Sequence, residues 1–347
     1  MPNPPENQTP IHPLPPHMRG VVYDAPGPAS VLTERTLPLP SHLPPSFILI
    51  QVHACGVNRP DILQRRGKYP PPPGASPLLG LEVSGTIAHI PPGTICPYPV
   101  GTRVCALVPS GGYAEYVAVH AGHILPLSDS LSFEEAAALP EGLFTCTQAL
   151  LIQGQFTPGD RVLIHAGGSG IGTLAIQILR AMGAGLIAVT CRSDKKADAC
   201  RRIGADIAIN THTQDYVDVI RNATHGQGVH IVLDVLGGGY VAKNLSCLAD
   251  CGRHITIAMQ DSASATLDLA PLMLKRIVMT GSTLRHRTNE EKTDLAKIIT
   301  DRLWPLVQTG QIRPVLYKTL PLSAAAEAHD ILEQNQNTGK VVLFVRG

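Results

Sequence analysis

The sequence predicts an α/β protein of two domains, one β-rich and one a doubly wound parallel sheet, on three observations. Apolar runs of four to six residues alternate with helical patterns from about residue 141, 23 of the 31 prolines fall in the first 100 residues, and a strand, a glycine-rich turn and a helix follow one another over 161–180. At 347 residues and 44% hydrophobic, the chain has material for about two domains of roughly 100 to 200 residues, each with its own core.

Residues 1–17 are Pro, Asn, Gln and His with almost no aliphatic pattern, and are expected to form a disordered tail. Residues 18–140 form the β-rich domain, with short β-like runs such as 47–52 and 102–108 set between turn signals. Residues 141–312 form the parallel-sheet domain: apolar runs at 161–165, 186–190, 207–210, 230–234 and 254–257 alternate with helices, which specifies βαβ units covered on both faces. Thr173, Leu174, Ile176 and Leu179 recur at helical steps between the first two strands. One long helix is expected around 290–308, and the return to a strand at 341–345 indicates that 313–347 completes the first domain.

Charge narrows the partners. Only 16% of residues are charged, Lys+Arg (28) nearly cancels Asp+Glu (27), and no run of like charge occurs, which argues against an electrostatic grip on nucleic acid or an anionic membrane. A small or apolar partner fits better. No apolar stretch approaches the roughly 20 residues of a membrane span and no charged-then-apolar leader opens the chain, so a cytoplasmic protein is expected. Eight cysteines without a Cys-x-x-Cys or a zinc-type pairing with histidine read as reduced thiols, with no metal site. Cys247 and Cys251 read as small buried side chains at a helix end.

The strongest local signal is the run from Val162 through His165, Gly167, Gly168, Ser169, Gly170, Ile171 and Gly172 to Thr173. Glycines let the backbone turn sharply beneath a pyrophosphate, whose charge meets free N–H groups and the positive end of the helix. The spacing departs from G-x-G-x-x-G, since Thr173 stands where the third glycine belongs, but its setting within βαβ texture identifies a nucleotide loop. NAD-selective folds place a carboxylate about 20 residues on, at the end of the second strand. Here that end reads Thr190-Cys191-Arg192-Ser193. Arg192, Ser193 and Lys196 offer donors suited to a 2′-phosphate, which favours NADPH. Asp194 either caps the next helix or reaches the ribose and weakens that preference.

Further stretches carry a resemblance: Gly56-Val-Asn58-Arg-Pro-Asp61, Gln64-Arg-Arg-Gly67-Lys-Tyr69, Pro71-Pro-Pro-Gly74-Ala-Ser76, Gly80-Leu-Glu82-Val-Ser-Gly85, Gly111-Gly-Tyr-Ala-Glu-Tyr116 and Leu139-Pro-Glu141. With the 165–173 loop, they resemble zinc-independent quinone oxidoreductases of the medium-chain dehydrogenase/reductase superfamily, zeta-crystallin-like enzymes, over nearly all of 18–344. The resemblance implies a GroES-like catalytic domain, a Rossmann domain, NADPH as cofactor, and a quinone or other small electrophilic acceptor. Zinc-containing relatives place cysteine where Asn58 stands and histidine where Leu81 stands, so no catalytic zinc is expected. Asn58 and Tyr69 are then the candidates beside nicotinamide and acceptor, and Thr145 matches a cofactor-contacting threonine. Tyr69 otherwise packs against the prolines at 70–73, and Asn58 otherwise satisfies buried backbone. Asp61 reads as a loop anchor, His165 as structural, and His120 and His123 as structural or exposed. Relatives often carry Tyr, packing near the adenosine, where Thr211 stands, and this departure weakens the expectation of adenine stacking. A homodimer through the edge strand near 277–281 is expected on the same grounds. Two other readings stay open: an NADPH-dependent 2-alkenal or enone reductase, and a non-catalytic NADPH-binding protein of crystallin-like or RNA-binding kind.

Overall fold

The structure is a computed structural model in which residues 14–40 and 42–346 are described. The chain opens with β1 (His17–Val22), β2 (Thr33–Pro38), β3 (Phe47–Val57), α1 (Arg59–Arg65), β4 (Glu82–His89), β5 (Arg103–Leu107), β6 (Tyr116–His120), β7 (Ile124–Pro126) and α2 (Phe133–Ala136). Next come α3 (Pro140–Cys146), β8 (Arg161–Ile164), α4 (Gly170–Ala181), β9 (Leu186–Cys191), α5 (Asp194–Arg202), β10 (Ile207–Asn210), α6 (Tyr216–Ala223), β11 (Val229–Asp234), α7 (Tyr240–Cys247), β12 (Leu248–Thr256), α8 (Ala270–Leu274) and β13 (Val278–Gly281). The last stretch holds α9 (Asn289–Ile298), α10 (Trp304–Gln308), β14 (Leu316–Pro321), α11 (Ala325–Glu333) and β15 (Lys340–Phe344).

These elements gather into two compact units, one from the chain up to Glu141 with Arg285–Asp301 and Leu316 onward, the other from Gly142–Leu284 with Arg302–Val315. In the first unit, β3 is the spine of a seven-stranded sheet ordered β14-β15-β3-β4-β5-β7, with β6 also paired to β3. Along β3, Ile48, Ile50 and Val52 enter one apolar cluster while Leu49 enters another, so the two-residue alternation of a strand is buried on both faces. The C-terminal β15 pairs antiparallel with β3, Val341 opposite Val57, and β4 pairs on the other side, Val83 opposite Cys55. That register brings the start of β15 and the start of β4 to the end of β3.

The second unit is a six-stranded sheet ordered β10-β9-β8-β11-β12-β13, parallel throughout. Counted from β8 the order is 3-2-1-4-5-6, the doubly wound dinucleotide arrangement, whose ligands bind beyond the strand ends where the order reverses. Leu163, Ala188, Ile209, Val232 and Leu245 form one of its cores.

Four expectations change. Residues 285–301, expected within 141–312, pack in the first unit: His123 Nε2 lies 3.0 Å from Asn289 O, and a β-carbon on Gly122 would strike Thr293. The long helix expected around 290–308 is broken by a π-helical segment, Ile299–Leu303, and Pro305, which has no N–H to donate, sits in the first turn of α10. Residues 14–17, placed in the tail, are built into the fold: Leu14 packs on a cluster with Met18 and Leu49, Leu39 N donates to Pro16 O at 3.0 Å, and His17 pairs with Pro38. The rest of the expected tail lies outside the described residues. Cys247 is buried, but Cys251 is exposed within β12 at φ 55°, because that strand begins six residues earlier than expected.

Candidate functional site

The glycine-rich turn after β8 is built by backbone geometry. After β8 the chain runs through buried His165 to Ala166, held at φ 55° in the left-handed region that a β-carbon disfavours. Gly167 N then donates to Thr190 O at 2.9 Å. A β-carbon on Gly172 would lie 2.5 Å from the carbonyl oxygens of Ala166 and Gly167, so only glycine lets α4 start this close to the turn. Ser169 caps α4, its Oγ accepting from Gly172 N at 3.0 Å. The N–H groups of Gly170 and Ile171 belong to the first helical turn, which has no intrahelical partners for them, at the positive end of the helix. Gly168, Ser169, Gly170, Ile171 and Gly172 thus share one turn at the C-terminal end of β8.

The second strand end converges on this turn. Ser193 caps α5, its Oγ accepting from Lys196 N at 3.4 Å. Asp194 therefore does not cap that helix; its Oδ1 accepts from Asn210 Nδ2 at 3.0 Å. The half-buried stem of Lys196 lies over the loop, since a β-carbon on Gly168 would sit 3.3 Å from Lys196 Cδ. Burial, and then the charge of exposed Arg192, hold the Lys196 ammonium below the usual lysine range. Thr145 is in the last turn of α3, whose next residue, Cys146, brings Sγ within 3.9 Å of Ile171 O. His165 bonds Thr190 Oγ1 at 2.9 Å and Asn244 Oδ1 at 2.7 Å and is fully buried, the structural role read for it.

Sequence reading missed a groove of about 610 Å³ beyond β10 and β11, to which His212, Tyr240, Lys243 and Asp261 contribute beside Thr211. Its only sequence signal is position, since residues directly after parallel strands line ligand sites in this architecture.

In the first unit the candidate side chains sit in a buried polar lattice. Asn58 precedes α1, with its N–H donating to Asp61 Oδ2 at 2.8 Å. Its Nδ2 donates to Glu82 Oε1 at 2.8 Å, and its Oδ1 accepts from Lys340 Nζ at 2.6 Å. Lys340 Nζ also bonds Glu82 Oε1, and Glu82 Oε2 accepts from Glu141 N at 2.9 Å. Asp61 anchors the loop as read: it accepts from Asn58 N, from Gly80 N at 3.1 Å and from Tyr113 OH at 3.1 Å. Burial pushes its carboxyl up to about 6, against the lowering effect of those bonds. Beyond it, Tyr113 OH is 3.1 Å from His329 Nε2, and His329 Nδ1 is 3.2 Å from Arg65 Nη1. Because guanidinium only donates, Nδ1 accepts and Nε2 carries the hydrogen. Burial, and then Arg65, push His329 down to about 3. Burial, followed by the charge of Glu82, pushes the Glu141 carboxyl up to about 7.

Tyr69 follows α1 and packs under Arg285, whose guanidinium carbon is 4.1 Å from the ring centroid. Arg285 Nη1 donates to Tyr69 O at 2.8 Å and Pro70 O at 3.0 Å, and Nη2 donates to Gln64 Oε1 at 3.1 Å. The stacking partner is therefore a cation from the 285–301 segment.

Among the described residues no group of three or more His, Cys, Asp or Glu side chains is arranged to hold a metal ion, and no helix is long and apolar enough to cross a membrane. The residues around position 58 do not fit zinc: Asn58 offers an amide, and an ammonium already bonds both it and Glu82.

Residues 44–129 match the family described as alcohol dehydrogenase GroES-like domain, and residues 170–300 match the family described as zinc-binding dehydrogenase. The chain is 30% identical to the quinone oxidoreductase of Rattus norvegicus over 300 residues, 86% of this chain and 89% of that protein. The crystal structure of Escherichia coli quinone oxidoreductase complexed with NADPH is similar at 27% identity and a TM-score of 0.83, covering 94% of this chain and 100% of the other. The crystal structure of an NAD-dependent alcohol dehydrogenase is similar at 30% identity and a TM-score of 0.81, over 94% of this chain and 100% of the other.

Proposed function

This chain is an oxidoreductase belonging to the quinone oxidoreductase-like family of medium-chain dehydrogenases/reductases, and we propose that it reduces quinones with NADPH and without a metal ion. The observation that carries the cofactor choice is Lys196 lying over Gly168 with Arg192 beside it, while Asp194 is engaged by Asn210. Two cations next to a helix-terminal phosphate loop suit a 2′-phosphate better than a free ribose hydroxyl. NADPH fits the residues present, with Gly168, Ser169, Gly170, Ile171 and Gly172 under the pyrophosphate, Thr145 alongside, and Arg192, Ser193 and Lys196 at the 2′-phosphate. When bound, it supplies the hydride.

The side chains of the first unit then hold the acceptor. A quinone is already electrophilic, so the protein's part is orientation and donors for the oxygen that gains negative charge. Asn58 Nδ2 and the Tyr69 hydroxyl are those donors. The Lys340 ammonium, bonded to Asn58 and Glu82, supports a metal-free reading, because cationic charge is already built into that place.

The fold supports a homodimer through β13. This strand ends the parallel sheet and exposes Val278 and Met279, with Met273 and Leu274 of α8 also exposed. Sedimentation velocity is expected to read a dimer for the wild type and a monomer for Val278→Asp; an unshifted dimer in the variant rejects this interface.

Parallel assays of NADPH oxidation with an ortho-quinone and with a 2-alkenal test the function. The reading requires quinone turnover that slows with NADH. Turnover of the alkenal alone moves the function to enone reduction, and tight NADPH binding with neither turnover leaves a binding protein.

A further inference from the structure

We infer that Lys340 is a positioning residue: clamped between Glu82 and Asn58, it fixes the Asn58 amide so that the NH2 group, and not the carbonyl oxygen, is what a bound acceptor meets. This rests on Asn58 contacting the acceptor as proposed above, and it adds which atom does so and what holds it.

The clamp is a closed triangle assembled from three strand ends. Lys340 is the first residue of β15, Glu82 the first of β4, and Asn58 directly follows β3. The pairing of both strands to β3 sets the three side by side, 282 residues separating Lys340 from Asn58 in sequence. Gly56 makes the room, because a β-carbon there would collide with Glu82 Oε1. All three are buried, Lys340 6%, Glu82 0% and Asn58 7% exposed.

Hydrogen-bond chemistry settles which way the amide faces. An ammonium only donates and a carboxylate only accepts, so Oδ1 must face Lys340 and one hydrogen of Nδ2 must face Glu82. A flipped amide would set donor against donor and acceptor against acceptor. With Oδ1 taken by Lys340, the second hydrogen of Nδ2 is the group left to offer, and it suits a carbonyl oxygen that gains charge as hydride arrives. A neutral side chain at 340 removes the bond that holds Oδ1, leaves Glu82 alone to hold the amide through Nδ2, and so loosens the orientation that favours donation. Glu82 holds the other corner and takes Glu141 N on its second oxygen, so the carboxylate itself is not free to turn.

The test is a double-mutant cycle in NADPH-dependent quinone reduction, with wild type, Lys340→Met, Asn58→Ala and the double variant, alongside Lys340→Arg. Lys340→Met is expected to lower kcat about tenfold, the size of one charge-dependent hydrogen bond, with the NADPH Kd little changed. The loss should vanish in the Asn58→Ala background, and Lys340→Arg should restore part of it. Independent, multiplying losses in the double variant, or an unchanged kcat in Lys340→Met, would overturn the inference. Because Lys340→Met alone strands a buried carboxylate, Glu82→Gln/Lys340→Met serves as the charge-neutral second variant, and the same loss of kcat is expected. The Asn58 side-chain amide also reads the clamp without turnover. Two separate, slowly exchanging 1H–15N signals are expected in wild type, assigned by their absence in Asn58→Ala, and they should broaden in the charge-neutral variant. Unbroadened signals there reject the clamp. A wild type that ignores quinones rejects the acceptor reading, while these signals still decide whether Lys340 holds Asn58.

Discussion

Lys340 in the first unit and Lys196 in the second are both cations at candidate sites, in opposite surroundings. Lys340 is 6% exposed and bonded to a fully buried carboxylate and an amide. Lys196 is half-buried, its stem on Gly168 and the charge of Arg192 nearby disfavouring its own. A buried cation with its counter-charge belongs to the fold, and removing either partner leaves the other stranded. The proposed role of Lys196, on a glycine-rich turn with Arg192 nearby, is to meet the 2′-phosphate of NADPH. One lysine should therefore be read through stability and the other through ligand affinity.

The sharpest way to break that contrast is to remove both lysines in turn and measure stability. Lys340→Met should cost about 3–5 kcal/mol in urea unfolding, the range for breaking a buried pair, and Glu82→Gln/Lys340→Met should recover most of it. Lys196→Ala should change stability by less than about 1 kcal/mol. Equal losses for the two lysines would dissolve the comparison.

The second unit's own large effect lies in its backbone. Gly172→Ala pushes a methyl group into two carbonyl oxygens and should weaken NADPH binding by more than about tenfold, or about 1.4 kcal/mol, by calorimetry. Gly168→Ala meets only the pliable stem of Lys196 and should cost much less. Lys196→Ala should weaken NADPH about tenfold or more, as for a lost charged hydrogen bond, and leave NADH unchanged. Matching losses for the two cofactors would place Lys196 away from the 2′-phosphate.

The smallest effect returns to the first unit. The Glu141 carboxyl is raised from 4.5 to about 7 by burial, so the folded state holds a proton that the unfolded chain has released. Its stabilising contribution is full below about 4.5 and is lost as pH rises through about 7. Glu141→Gln should therefore gain on wild type by about 1–2 kcal/mol between pH 5 and pH 8 in thermal melts, less than the full shift because the side chain is partly exposed. A pH-independent difference would mean that Glu141 titrates normally.

The two regions also differ in how far sequence discloses them. The glycine-rich turn is contiguous, and glycine, serine and helix periodicity from His165 to Thr173 carry its geometry in the order of the chain. The parallel strands were visible for the same reason, since each is a local apolar run. The clamp on Asn58 is not local: nothing near Lys340 marks it as the partner of a residue 282 positions away, and only the β15–β3 register joins them. Arg285 stacking on Tyr69 is equally non-local, because 285–301 reads as a continuation of the parallel-sheet domain until its tertiary partners are known. Asp61 was legible as an anchor, being three residues from Asn58 across a helix start, whereas its link to Tyr113 and His329 was not.

Hydride delivery to a quinone in a site whose cation is a lysine is tested most directly by metal analysis together with activity. Protein dialysed exhaustively against chelator would be assayed for NADPH-dependent quinone reduction and for bound zinc. Full activity with zinc far below one equivalent is expected. Activity that disappears on chelation and returns with zinc would contradict a metal-free site.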